Sequence, residues 1–338
     1  FYTDNEEWKG FASNNTTDPA GEFSSLLGCT LEQALATLEL QQLPQDRLAE
    51  LLQPDLPVVE SMEARILVAG CGTFGDPGMA SNSWIYEITP TARASLLRSE
   101  AFYRESGSRR NIWSGRHAIH FLPRFVLLSQ MTGLDNRELL PPYFPLFRNE
   151  DFLFGENLQF IHPNSMMVDF PWALPHMPLE ERQWNKEQID QPTTYGMLSF
   201  TADYLARCVS AYKSTNPSVR LQALSRHFMD MAALDDARLG QIIKDETCYL
   251  QSARIQRLDK SLKEFPDAPG YWAEDIRKVI STNQQGLMDR LDDAFPYCLK
   301  DIPQDQHMQH ARKLWEQFGQ SLAAWEDLRQ AAQQVTRT

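Results

Sequence analysis

Apolar positions along the chain change their period near residue 190. Before that point the apolar runs are short and broken by Pro, Gly and aromatic residues. Ala64-Arg65-Ile66-Leu67-Val68-Ala69 reads as a buried strand ending at a glycine-rich loop, and Met166-Met167-Val168-Asp169-Phe170 as a short strand stopped by Pro171. Thr30-Leu31-Glu32-Gln33 has the spacing of a capping box and predicts a helix through about Leu40. A second short helix is expected over 46–53, and Leu127 to Leu140 is mixed. After 190 the period is helical. Leu221, Leu224, Phe228 and Met231 recur at i, i+3, i+7 and i+10, and Ile255, Leu258, Leu262 and Phe265 repeat that spacing. Trp272, Ile276 and Val279, then Leu314, Phe318, Leu322 and Trp325, mark two further amphipathic helices, with Pro266 and Pro303 as punctuation. The pattern therefore predicts an α/β region over 1–190 and a helical bundle, or a set of helical hairpins, over 191–338.

Composition narrows the classes of function. The chain has 338 residues, 42% of them hydrophobic, which is enough for one large domain or two medium ones. Charged residues make up 23%, an ordinary share for a folded protein. A formal net charge of -13 repels polyanions, so nucleic acid is not an expected partner. No apolar run approaches the roughly 18 residues of a membrane span, and Phe1-Tyr2-Thr3-Asp4 lacks the regions of a signal peptide. The five cysteines (Cys29, Cys71, Cys208, Cys248, Cys298) are scattered, with no CxxC, so free thiols in a reducing, cytoplasmic setting are expected. GxSxG, HExxH and P-loop patterns are absent.

The segment richest in chemistry runs from Leu139-Leu140-Pro141-Pro142-Tyr143-Phe144-Pro145 into Arg148-Asn149-Glu150-Asp151. Three prolines enforce an extended approach. Two carboxylates follow, between an arginine and the apolar Phe152-Leu153-Phe154. An acid among apolar groups suits general-base work. The same residues also read as a plain helix N-terminus, where acids favour the dipole.

This segment resembles the acceptor side of GT-A-fold glycosyltransferases, in which an acidic pair supplies the base that deprotonates the acceptor hydroxyl. On that resemblance Asp151 is the base, Glu150 supports it, and Arg148 and Asn149 bind substrate. The stretch Asp169-Phe170-Pro171-Trp172-Ala173-Leu174-Pro175-His176 resembles the family's segment with a metal-ligating histidine, which implies His176 as a ligand. Asp4-Asn5-Glu6 resembles the acidic metal motif, with Glu in place of the second Asp. Asp4, Glu6 and His176 would then hold Mn²⁺ or Mg²⁺ against the diphosphate of a nucleotide sugar. The nucleotide-binding strands of such a fold precede that motif, so the resemblance implies that they are lacking here or supplied by a segment outside these 338 residues. The resemblance covers about residues 1–180 and rests on the order of several segments. It implies a nucleotide-sugar donor and a carbohydrate, lipid-linked or protein hydroxyl acceptor.

Gly70-Cys71-Gly72-Thr73-Phe74-Gly75 is a literal GxGxxG after a strand and resembles the first motif of S-adenosylmethionine-dependent methyltransferases. That cradle needs a helix immediately afterwards, whereas Asp76-Pro77-Gly78 reads as a turn. In the glycosyltransferase reading, Gly75 and Gly78 let backbone approach the sugar, and Asp76 accepts its hydroxyls. Trp172, with Trp84 and Trp113, offers a sugar-stacking ring. Arg109-Arg110-Asn111 with Arg116-His117 is a tight basic cluster able to hold a diphosphate or simply to face solvent. His117 and His120 have no carboxylate at metal spacing. Besides the methyltransferase, the alternative is a non-catalytic interaction module on a degenerate glycosyltransferase scaffold, with the helical half facing a protein partner.

Overall fold

The computed structural model describes residues 18–39, 56–78, 83–87, 90–115, 118–125, 127, 131–184, 196–208, 212–290, 303 and 306–335. The first part is α/β. Helices α1 (Pro19–Leu26), α2 (Leu31–Thr37) and α3 (Leu56–Glu60) precede strand β1 (Arg65–Gly75). A 3-10 turn at Ser83–Tyr86, α4 (Pro90–Leu96) and α5 (Glu100–Ser108) follow, then the short strands β2 (Ile112–Ser114), β3 (His120–Leu122) and β4 (Gly133–Leu134). Helix α6 (Glu150–Ile161) leads into β5 (Ser165–His176). The helical part comprises α7 (Met197–Cys208), α8 (Pro217–Ala232), α9 (Asp236–Glu264), α10 (Gly270–Arg290) and α11 (His307–Val335).

The sheet is built on one parallel pair, β1 with β5, in register from Arg65↔Ser165 to Gly75↔His176. Ile66, Leu67, Val68 and Ala69 are all buried, as a central strand covered on both faces requires. Antiparallel β2 and β4 share the far edge of β1, and β3 flanks β5. Both central strands outrun their sequence signals. β1 continues through Gly70–Gly75, and β5 continues through Pro171 and Pro175. Pro171 is tolerated because the register shifts between Cys71 and Gly72, leaving a bulge opposite. Beyond Asp169, β5 has no β3 partner, so a missing proline N–H breaks no ladder there.

Helices cover both faces of this sheet. α1 and α2 bring Phe23, Leu26, Leu31 and Leu35 onto Ile66, Ala69, Met166, Val168 and Phe170. The predicted capping box is present at Thr30 and Gln33. On the other face Phe154 and Leu158 of α6 meet Leu67, Val68 and Met167. α6 is separated from β5 by residues 162–164 alone, so it runs back along the strand and its N-terminus lies toward the C-terminal ends of β1 and β5.

Packing crosses residue 190 twice, and residues 185–195 lie outside the described set. Leu153, Phe160 and Ile161 of α6 share a core with Met197, Leu205, Leu221, Phe228, Trp315 and Phe318. Tyr103 and Leu96 share another with Leu258, Trp272 and Ile276. The expected helix over 46–53 also falls outside the described residues. Cys29, Cys71 and Cys248 are free thiols. No helix among the described residues is long and apolar enough to cross a membrane.

α8 and α11 approach closely at Gly319. A Cβ there would lie 2.8 Å from Met229 Cγ and 3.0 Å from the backbone oxygen of Ser225, whose hydroxyl donates to Gly319 O at 2.7 Å. Helix propensity alone favours Ala over Gly by about 1 kcal/mol. Overpacking reverses the sign: Gly319→Ala should destabilise by about 1–3 kcal/mol in urea denaturation.

Candidate functional site

The C-terminal ends of β1 and β5 gather residues from four distant stretches. Open α/β sheets bind ligands at this edge because strand ends and helix N-termini meet there. β1 ends on Gly75, whose φ of +102° leaves the β region. A Cβ there would sit 2.3 Å from His176 O, so only glycine lets the two strand ends stay in contact. The next amide, of Asp76, donates to His176 O at 2.9 Å.

Asp76 is 1% exposed. Its Oδ1 accepts from Gly78 N at 2.8 Å, and its Oδ2 from Arg110 Nε at 3.0 Å and Arg182 Nε at 2.6 Å. Burial alone would push this carboxyl up. The Gly78 amide, Arg182 and Arg110 outweigh burial and hold it below the usual carboxylate range. Arg110 and Arg182 converge because their segments are pinned together. Arg109 and Gln183 form an antiparallel bridge, and Trp184 N donates to Ser108 O at 2.8 Å. The guanidinium of Arg110 lies 4.0 Å from the centroid of Trp184.

Arg148 reaches the same place from the other side. A Cβ on Gly78 (φ +75°) would lie 2.6 Å from Arg148 Nη2. Phe147 and Asn149, on either side of Arg148, hold left-handed backbone at φ +68° and +71°. Non-glycine residues adopt that region at a cost of about 1 kcal/mol or more each, and such strain concentrates where a side chain must be aimed. Asn149 is the N-cap of α6 without a side-chain capping bond, and its Nδ2 donates instead to Ser199 Oγ at 2.7 Å, tying the helix entry to α7. Glu150 and Asp151 form the first turn of α6, both half-buried, and Asp151 Oδ1 accepts from Phe152 N at 2.8 Å. Asp151 lies three and four residues before Phe154 and Gly155, which pack toward the sheet and Phe125. That spacing puts it on the sheet side of α6.

Gly75, Asp76, Gly78, Arg148 and His176 are thus brought together. Asp76 is not open to sugar hydroxyls, because both its oxygens are taken by N–H donors from within the chain. Trp172 is not part of the group. Its ring stacks on Phe23 at 5.3 Å and its Nε1 donates to Glu22 at 2.6 Å, on the α1 side of the sheet. Asp4, Glu6, Arg116 and His117 lie outside the described residues, as do the side chains of Trp84 and Trp113. His176 is exposed, and its imidazole has no hydrogen-bond partner among the described residues. No group of three His, Cys, Asp or Glu among the described residues is placed to hold a metal ion. Gly72 to Gly75 continue the pairing with β5, so the GxGxxG is strand, and the described residues that follow it, Asp76 to Gly78, are not helical.

Sequence reasoning missed Arg182 and Trp184. They stand in Glu180-Glu181-Arg182-Gln183-Trp184, which reads as a solvated charged stretch; only the bridge to Arg109 reveals them. Tyr143 was missed as well; it is 37% exposed and stacks on Phe154 at 4.1 Å and 5°. No protein family, no curated protein and no solved structure matches this chain.

Asp76 also sets an acid dependence. Its folded pKa lies below its unfolded value of about 3.9. The stability it contributes is therefore complete above about pH 4 and is lost as pH falls through the lower folded pKa. Asp76→Asn, which strands two arginines, should destabilise by about 3 kcal/mol at neutral pH. The gap between variant and wild type in urea midpoint should narrow as pH drops below about 4.

Proposed function

We propose that this chain is a glycosyltransferase of the GT-A type, moving a sugar from a nucleotide-sugar donor to a hydroxyl acceptor. One observation carries the reading. The segments whose order resembles that family, Gly75–Gly78, Arg148–Asp151 and His176, converge on one edge of the sheet although up to about a hundred residues separate them. The parallel β1–β5 pair with α6 returning between them suits that chemistry, because it presents backbone amides, a guanidinium and two carboxylates to one cleft.

In this reading Asp151 accepts the proton of the acceptor hydroxyl as that oxygen attacks the anomeric carbon. In-line attack inverts the configuration there. Glu150, one residue earlier, orients the acceptor. The glycine at 75 and the turn at 78 allow backbone to lie close to the sugar. In this reading His176, exposed and with no hydrogen-bond partner among the described residues, would serve as a divalent-ion ligand together with Asp4 and Glu6. A bound Mn²⁺ or Mg²⁺ would supply charge neutralisation at the leaving diphosphate. The strand geometry of Gly70–Gly75 supports this reading over the methyltransferase alternative, which needs a helix opening directly on the glycine loop.

The test is transfer or hydrolysis across a panel of nucleotide sugars with Mn²⁺ present. Wild-type protein should turn over at least one donor, and Asp151→Asn should lower kcat by about 10²–10⁴-fold. Wild-type turnover in the variant would remove Asp151 as base. Absence of both turnover and donor binding would sink enzymatic transfer and favour an interaction role for residues 191–338.

A further inference from the structure

The side chains that bind Asp76 are both arginines. Arg110 and Arg182 each bind Asp76 Oδ2 through Nε. The side chain of Arg182 is 42% exposed, and no other group among the described residues engages its guanidinium. Arg148, also exposed, has no carboxylate or carbonyl partner among the described residues, and neither Glu150 nor Asp151 pairs with it. Trp184 is 9% exposed, yet its buried indole Nε1 has no acceptor among the described residues. Asp76 is the acceptor at the centre, and its oxygens are already filled. Exposed guanidinium donors whose remaining N–H groups have no acceptor among the described residues, at the end of parallel strands, are complementary to an oxyanion with several acceptor oxygens.

We infer that Arg110, Arg148 and Arg182 form a phosphate-binding clamp, with Asp76 as the positioning residue that holds two of the three arginines. The proposed glycosyl transfer bears on whose phosphate is bound, while the clamp itself rests on the donors and their geometry. Nε binding fixes each guanidinium plane and leaves the Nη edge of Arg182 for the ligand. The stacking of Arg110 on Trp184 fixes a second plane. Gly78 leaves room for Arg148 to lie against the turn, so the third charge closes over the same loop. The phosphate can belong to a nucleotide-sugar donor or to a phosphorylated acceptor.

The experiment is calorimetric titration of the full chain with inorganic pyrophosphate, in EDTA and at low salt. Pyrophosphate should bind without a divalent ion, and its affinity should fall steeply as salt rises. Arg148→Ala changes an exposed side chain with no ion pair among the described residues and should keep the wild-type Tm, whereas Arg182→Ala removes a partner of buried Asp76 and should lower it; each should weaken pyrophosphate at least tenfold. Asp76→Asn should weaken it as well, whereas Glu181→Gln, the neighbouring carboxylate, should leave it unchanged. Absence of pyrophosphate binding, or equal affinity in wild type and both arginine variants, overturns the clamp. UDP and GDP binding more tightly than glucose 6-phosphate assigns the clamp to the donor. Glucose 6-phosphate binding undiminished at saturating UDP and GDP assigns it to a phosphorylated acceptor. Arginine-dependent pyrophosphate binding without turnover of any nucleotide sugar keeps the clamp and removes glycosyl transfer. Turnover with unchanged donor KM in both arginine variants removes the clamp from the donor side and leaves glycosyl transfer standing.

Discussion

Helix α6 is buried on two opposite sides, and the placement of everything else follows from that. Seven of its twelve residues are buried. Phe154 and Leu158 close one face of the sheet, while Leu153, Phe160 and Ile161 form the floor on which α7, α8 and α11 pack. A helix apolar on nearly all sides is stable only when both are covered. One element thereby packs against both the sheet and the helical layer. Gly155 shows how close the fit is: a Cβ there would come within 2.9 Å of Phe125 O. Because α6 is held from both sides, its N-terminus is immobilised, and Arg148 to Asp151 take their position from the core rather than from a free loop.

The electrostatics of the strand edge depend on a second constraint. Asp76 is a buried carboxylate whose charge is stabilised by one amide and two arginines. Removing any one partner leaves charges uncompensated, so the arrangement is rigid in a way that a surface ion pair is not. Left-handed residues on both sides of Arg148 add local strain that the surrounding packing must offset. Rigidity here is what a cleft needs if it is to stabilise charge developing on a ligand without reorganising.

The helical half was legible because its apolar stripes have helical period. Leu221, Leu224, Phe228 and Met231 are the buried face of α8, and Leu314, Phe318 and Leu322 that of α11. The capping box at Thr30 was equally local and equally readable. β1 and β5 were legible only at their apolar starts. Their second halves, with Gly72, Gly75, Pro171 and Pro175, have poor strand propensity and are extended because each pairs with the other across about a hundred residues. The division at 190 was legible as a change of period, yet two cores run across it.

For the site, residue types and their order were visible in the sequence: a glycine turn with an acid, an arginine before two carboxylates, a histidine after a strand. Their meeting was not. Arg182 reaches Asp76 only because Gln183 bridges to Arg109. Trp172 looked open to ligand but lies under α1 because β5 bulges there and Phe23 takes its ring. The sequence by itself determined the helices, the strand nuclei and the chemical inventory, since these depend on neighbours within one or two turns. Only the tertiary structure decided that Asp76 serves arginines and that Arg148 closes over its turn. Those facts depend on burial and on pairing between segments far apart in the chain, which no local pattern encodes.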